Sequence, residues 1–101
     1  MNLARGWSGL EQKERPMATR TVKVGAKVGL HARPAALIAE AAGGLDSEVL
    51  LSVPGGEPVD ASSVMMIMTL GAGHGDEVVV ESEDEDALNK IADLIEKDLD
   101  A

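Results

Sequence analysis

A chain of 101 residues with 45% hydrophobic and 27% charged residues has room for one small domain. It contains no cysteine, which excludes disulfides and thiol chemistry, and its net charge of −9 argues against nucleic acid as the main partner. The sequence has no apolar run long enough to span a bilayer and no signal-peptide core, so we expect a cytoplasmic protein that does not insert into membranes.

The first segment, residues 1–16, shows no hydrophobic period and contains two glycines and a proline. We predict that it is a flexible leader and that one domain occupies residues 17–101. Alternatively, translation begins at Met17, and the leader is a misassigned start. The sequence leaves both explanations open.

The domain begins with a predicted strand, because residues 21–24 alternate between apolar and polar side chains. A loop over residues 25–29 follows. The next stretch, residues 32–42, is rich in alanine and is predicted to be a helix. Gly43 and Gly44 stand where helices commonly end.

A hairpin and a second helix are predicted next. The apolar residues at alternate positions of 49–53 indicate a strand, and a short strand through Val59 completes the hairpin. Either Ser62 or Ser63 caps a helix over residues 64–70, because serine oxygens accept hydrogen bonds from the first free N–H groups of a helix.

The last two elements are a strand over residues 77–81 and a helix with an apolar stripe that ends near Leu99. Asp84 or Ser82 is the predicted cap of this helix. The order β-α-β-β-α-β-α predicts an α/β fold of the α+β type. We expect an open-faced two-layer sandwich, in which three helices cover one face of a four-stranded, mainly antiparallel sheet.

Charge is distributed unevenly along the domain. Between Met17 and Ala39 lie four basic residues and no acidic one, whereas sixteen carboxylates and two lysines follow from Glu40 onward. The basic stretch contains His31. This asymmetry favours docking of an acidic or phosphorylated protein surface around that histidine.

The segment Gly29-Leu30-His31-Ala32-Arg33-Pro34-Ala35 puts a histidine at the start of the first predicted helix. A neutral imidazole is a competent phosphoryl acceptor. At a helix start, the backbone N–H groups of Ala32 and Arg33 are free to bind phosphate oxygens, and the Arg33 side chain can add charge-assisted hydrogen bonds. We therefore predict that His31 carries a phosphoryl group.

This segment resembles the active-site signature of the HPr family, the histidine-containing phosphocarriers of the bacterial sugar phosphotransferase system. A second block, Ser63-Val64-Met65-Met66-Ile67-Met68-Thr69-Leu70-Gly71, is similar to the family's serine-led second helix. Gly75-Asp76-Glu77-Val78 resembles the family's entry to the fourth strand. The resemblance runs from Met17 almost to the C-terminus.

The resemblance implies a phosphoryl relay. Enzyme I, charged by phosphoenolpyruvate, would phosphorylate Nδ1 of His31, and the group would pass to sugar-specific enzyme IIA domains. Arg33 would neutralise the phosphoryl charge during each transfer. The protein would then be a stoichiometric carrier rather than an enzyme.

The resemblance also implies residues for docking and regulation. Both partners would dock on a patch formed by Lys27, Val64, Met65 and Met68. Ser63 matches the serine that a dedicated ATP-dependent kinase modifies in some Gram-positive members. A plain N-cap is the alternative interpretation of Ser63, and we favour it because Ser62 precedes it where other members often carry a basic residue.

Two other functions remain open. One is a regulatory paralogue on the same fold, which reports its phosphorylation state to a transcription factor or to nitrogen metabolism and would still need His31. The other is an interaction module in which His31 is only a polar cap. The resemblance also implies HPr kinase/phosphorylase and a transcription regulator as further partners. His74 and the acidic residues 81–86 lack P-loop and EF-hand spacing, so we expect no metal and no cofactor. We expect a monomer, because a carrier with two partners needs a free docking face.

Overall fold

The computed structural model describes residues 17–98, so the predicted leader and Leu99 lie outside the described residues. Their elements follow the predicted order β-α-β-β-α-β-α. The strands and helices are β1 (Ala18–Lys23), α1 (Ala32–Gly43), β2 (Val49–Ser52), β3 (Val59–Asp60), α2 (Val64–Thr69), β4 (Glu77–Ser82) and α3 (Glu85–Glu96).

The four strands form one sheet in the order β1-β4-β2-β3, and every pair is antiparallel. The predicted antiparallel sheet is confirmed. Val80 of β4 lies opposite Leu51 of β2, and Val78 lies opposite Val22 of β1. These apolar side chains share the face of the sheet that the helices cover, as the period of two in a strand requires.

One aliphatic core fills the space between the sheet and the helices. The isoleucines at 38, 67, 91 and 95 are at most 1% exposed. They pack with the valines and leucine of the inner sheet face, and alanines fill the remaining contacts. The three helices therefore cover one face of the sheet, as the apolar stripes in the sequence predict.

Some boundaries differ from the predictions for a local reason. The first strand begins earlier and ends at Lys23, because the N–H of Val24 donates instead to the carbonyl of Asp76 in the loop before β4. Val53 lies outside β2 because its carbonyl accepts from the N–H of Gly56 and so closes a turn. Leu70 is the C-cap of α2 and not its last helical residue.

The two open choices of helix cap are decided by hydrogen bonds. Oγ of Ser63 accepts from the N–H of Met66 at 3.2 Å, so Ser63 caps α2. Asp84 caps α3, since Oδ1 of Asp84 accepts from the N–H of Asp86 at 2.9 Å.

We expect Ser63→Ala to lower the free energy of unfolding by about 1 kcal/mol, because an orphan N–H of α2 loses its acceptor. Ser62→Ala is the matched control, since the Ser62 hydroxyl donates only to the exposed Asp60 carboxylate. Urea unfolding followed by circular dichroism measures both variants. An equal loss of stability in both would contradict the capping role of Ser63.

Candidate functional site

The backbone before His31 is held in one conformation by the loop that follows α2. Gly29 has φ +80°, and a Cβ there would lie 2.7 Å from the carbonyl oxygen of Ala72 and 2.9 Å from Cα of Gly73. The N–H of the buried Leu30 donates to that same carbonyl at 2.9 Å. Glycine is therefore required here, because the position combines a left-handed conformation with a close backbone approach.

His31 occupies the N-cap of α1. Its backbone is extended, with φ −87° and ψ −167°, and its carbonyl accepts from the N–H of Ala35 at 2.9 Å. Its side chain is exposed and makes no capping hydrogen bond. The imidazole thus has no structural role at the helix start and is accessible to a partner.

Two backbone donors are left over beside His31. The N–H groups of Ala32 and Arg33 come before the first intrahelical donor, the N–H of Ala35, and have no intrahelical partner. Pro34 has no N–H, and it is buried together with Ala35, which anchors this turn in the core. The first turn therefore presents two N–H groups and the positive end of the helix dipole.

The exposed side chain of Arg33 makes no ion pair or hydrogen bond with another residue of the 17–98 segment. Arg20 behaves differently: its guanidinium pairs with Asp93 at 3.1 Å and Glu96 at 3.0 Å on α3. The basic stretch of the sequence is therefore divided. Arg20 ties β1 to α3, whereas Arg33 and the exposed Lys27 keep their charge available.

The exposed face of α2 is rich in methionine. Met65 is 74% exposed, and Met66 and Met68 are 42% and 40% exposed. Ile67 is the buried residue of the helix, and the half-buried Val64 packs against the core. Both methionines of the predicted docking patch, Met65 and Met68, are therefore exposed, as a contact with a partner requires.

Val28 is an exposed apolar residue that sequence reasoning missed. It lies between Lys27 and Gly29 in the loop that leads to His31. A side chain that is 52% exposed so close to the histidine is available to a partner. The only signal in the sequence was a valine inside a predicted loop, away from any alternating pattern.

The turn before α2 is ordered by Asp60. Its Oδ1 accepts from the backbone N–H of Ser62 at 2.9 Å and from the Ser62 hydroxyl at 2.7 Å. These two hydrogen bonds stabilise the carboxylate and hold the pKa of Asp60 below its usual value, the backbone bond having the larger effect. Ser63 is half-buried next to this turn.

His74 is exposed in the loop before β4. Within residues 17–98, no three side chains of metal-binding type lie close enough together to hold an ion. None of the helices in that range has the length and apolar character needed to cross a membrane.

A family model described as the PTS HPr component phosphorylation site matches residues 18–97. The chain belongs to the HPr family. It is 39% identical over 87 residues to the phosphocarrier protein HPr of Streptomyces coelicolor, an alignment that covers 83% of this chain and 94% of that protein. It is 38% identical over 86 residues to the HPr-like protein Crh of Bacillus subtilis, which covers 82% of this chain and all of Crh.

Solved structures agree with this membership of the HPr family. HPr of Thermoanaerobacter tengcongensis superposes with a TM-score of 0.75 at 34% identity, covering 84% of this chain and 98% of that one. The chain is therefore an HPr-family phosphocarrier of the bacterial phosphotransferase system, with the open-faced sandwich that the sequence predicts.

Proposed function

We propose that this chain accepts a phosphoryl group from enzyme I on Nδ1 of His31 and passes it to sugar-specific enzyme IIA domains. The observation that carries the proposal is the position and exposure of the His31 side chain. It stands at the N-cap of α1, it is exposed, and its side chain does not cap the helix. A histidine that served only as a polar cap would make that hydrogen bond.

The chemistry follows from the groups around the ring. The lone pair of Nδ1 attacks the phosphorus of the phosphorylated donor, the new N–P bond forms, and the bond to the donor breaks. The free N–H groups of Ala32 and Arg33 and the Arg33 guanidinium stabilise the phosphoryl oxygens. The same steps in reverse deliver the group to the next acceptor. The chain acts as a carrier, in the cytoplasm, and turns over no substrate of its own.

The docking patch consists of Lys27, Val64, Met65 and Met68. The N–H of Leu30, the residue before His31, donates to the carbonyl of Ala72 in the loop that follows α2. This hydrogen bond joins the end of α2 to the histidine. A partner that covers the exposed methionines can therefore also reach the histidine. Methionine suits two different partners, because its flexible thioether adapts to more than one surface.

Incubation with enzyme I and phosphoenolpyruvate tests the proposal, with the intact mass of the chain as the readout. We expect one acid-labile phosphate, and its loss when an enzyme IIA domain is added. Absence of phosphate with an enzyme I that phosphorylates a known HPr would overturn the proposal.

Arg33→Gln is expected to lower kcat/KM for phosphorylation by about 30-fold, because lost charge-assisted hydrogen bonds are worth about 2 kcal/mol. Arg33→Lys should recover part of the rate, since it keeps the charge but not the paired donors. Arg20→Gln is the matched control, because that guanidinium is bound to α3. Equal effects of the two glutamine variants would show that only net charge matters.

A second function is favoured by the similarity to Crh, whose solution structure is described as a catabolite repression HPr. In this regulatory alternative, a kinase would phosphorylate Ser63 and a transcription regulator would bind. The free N–H groups of α2 would favour the phosphate, whereas the ionised Asp60 three residues earlier would oppose it. Incubation with ATP and an HPr kinase tests this modification, since an acid-stable phosphate on wild type and none on Ser63→Ala would place it on the serine.

A further inference from the structure

We propose that Met65 and Met68 are sites of reversible oxidation, and that their sulfoxides weaken docking of the phosphoryl donor. The inference rests on the proposed function, because it uses the docking patch next to His31. Three of the five exposed large hydrophobic side chains between residues 17 and 98 are methionines of α2. Peroxide oxidises methionine wherever the sulfur is accessible.

Exposure and composition direct the oxidant to this helix. Met65 is 74% exposed, far more than a side chain that only fills a core. The chain has no cysteine, so no thiol of its own competes for the oxidant. In the reaction, the sulfur lone pair takes one oxygen from hydrogen peroxide, the O–O bond breaks, and water is released. A thiol-dependent sulfoxide reductase returns the thioether, removing the oxygen as water while two thiols become a disulfide.

The fold should tolerate this change while the docking patch does not. Ile67 is the buried residue of α2, and the Ser63 hydroxyl caps the helix start; neither contact uses a methionine sulfur. A sulfoxide oxygen is a strong acceptor, and covering it with a partner without a donor is unfavourable. Oxidation therefore affects binding rather than folding.

The spacing of the methionines supplies an internal control. Met65 and Met68 are three residues apart and share one face of α2, whereas Met66 is adjacent to Met65 and points to another side. Sulfoxides at 65 and 68 would lie under a docked partner. A sulfoxide at 66 would lie beside it.

The test compares oxidised and untreated protein in the enzyme I assay. Hydrogen peroxide is added until the intact mass rises by whole oxygen atoms, peptide mass spectra locate the sulfoxides, and circular dichroism checks the fold. We expect KM for the chain to rise about tenfold on oxidation of wild type and of Met66→Leu, and to recover after treatment with a sulfoxide reductase. Met65→Leu/Met68→Leu, compared with its own untreated form, should not respond.

An unchanged KM for wild type oxidised at both sites would overturn the inference. So would an equal response of the Met65→Leu/Met68→Leu variant. Both results leave the carrier function standing, because the untreated chain would still be phosphorylated. Failure of the untreated chain to accept phosphate is a different result: it would overturn the proposed function, and the inference would fall with it.

Discussion

Replacing His31 by alanine is expected to abolish phosphorylation by enzyme I and leave the fold unchanged. Without the imidazole the site has no nucleophile, so the loss is complete rather than graded. The fold should survive because the His31 side chain is exposed and makes no capping hydrogen bond, and because Pro34 and Ala35 anchor the turn in the core. Intact mass after incubation with enzyme I and phosphoenolpyruvate, together with a thermal unfolding curve, measures both effects.

His74→Ala is the matched control, because His74 is the other histidine of the chain and is also exposed. We expect it to accept one phosphate at the rate of wild type. Phosphate on His31→Ala, or its loss from His74→Ala, would show that the sequence motif was assigned the wrong role. A lower melting temperature of His31→Ala alone would point instead to a structural function of the histidine.

Gly25→Ala is expected to lower the free energy of unfolding by about 3 kcal/mol, the upper range for forcing an atom into a packed region. The N–H of Gly25 donates to the carbonyl of Ile95 at 2.9 Å, so the loop after β1 lies against the last turn of α3. A Cβ on residue 25 would overlap the Glu96 carbonyl oxygen and come within 2.9 Å of the carbonyl carbon of Lys97. Both are backbone atoms and cannot rotate away as a side chain would.

Gly43→Ala makes the same chemical change in an open place. Gly43 is the last residue of α1, and no atom lies within 4 Å of the position its Cβ would take. Alanine should therefore stabilise the protein by up to about 1 kcal/mol, because it restricts the unfolded chain. Urea unfolding of both variants checks the pair, and equal stabilities would show that the approach of Gly25 to α3 is looser than the structure describes.

The elements were predictable because local patterns define them. Alternation around Val22 marks a strand with one buried face, and the spacing of Leu88, Ile91 and Ile95 marks a helix with one buried stripe. For the N-caps of α2 and α3, the sequence narrowed each position to two candidate residues but did not choose between them. Ser62 and Ser63 have the same side chain, and the hydrogen bond from Met66 to Ser63 depends on where the chain leaves β3.

The candidate site shows the same division. The pairing of His31 with Arg33 at a helix start could be recognised from adjacent residues, since the chemistry lies within one turn. The ion pairs of Arg20 could not be recognised in this way, because its partners Asp93 and Glu96 lie at the other end of the chain. A list of charges treats Arg20 and Arg33 as equivalent, and only their neighbours in space separate them.

The order of the helices and strands, the family and the histidine motif could all be predicted from short stretches of sequence. Periodicity, caps and adjacent chemical groups act over only a few residues. Tertiary structure decided what depends on distant segments meeting. The left-handed Gly29 is required by the approach of Ala72, and Gly25 by the end of α3. Arg20 meets Asp93 and Glu96 only because β1 lies beside α3. Each of these depends on packing between elements far apart in the chain, which no local pattern encodes.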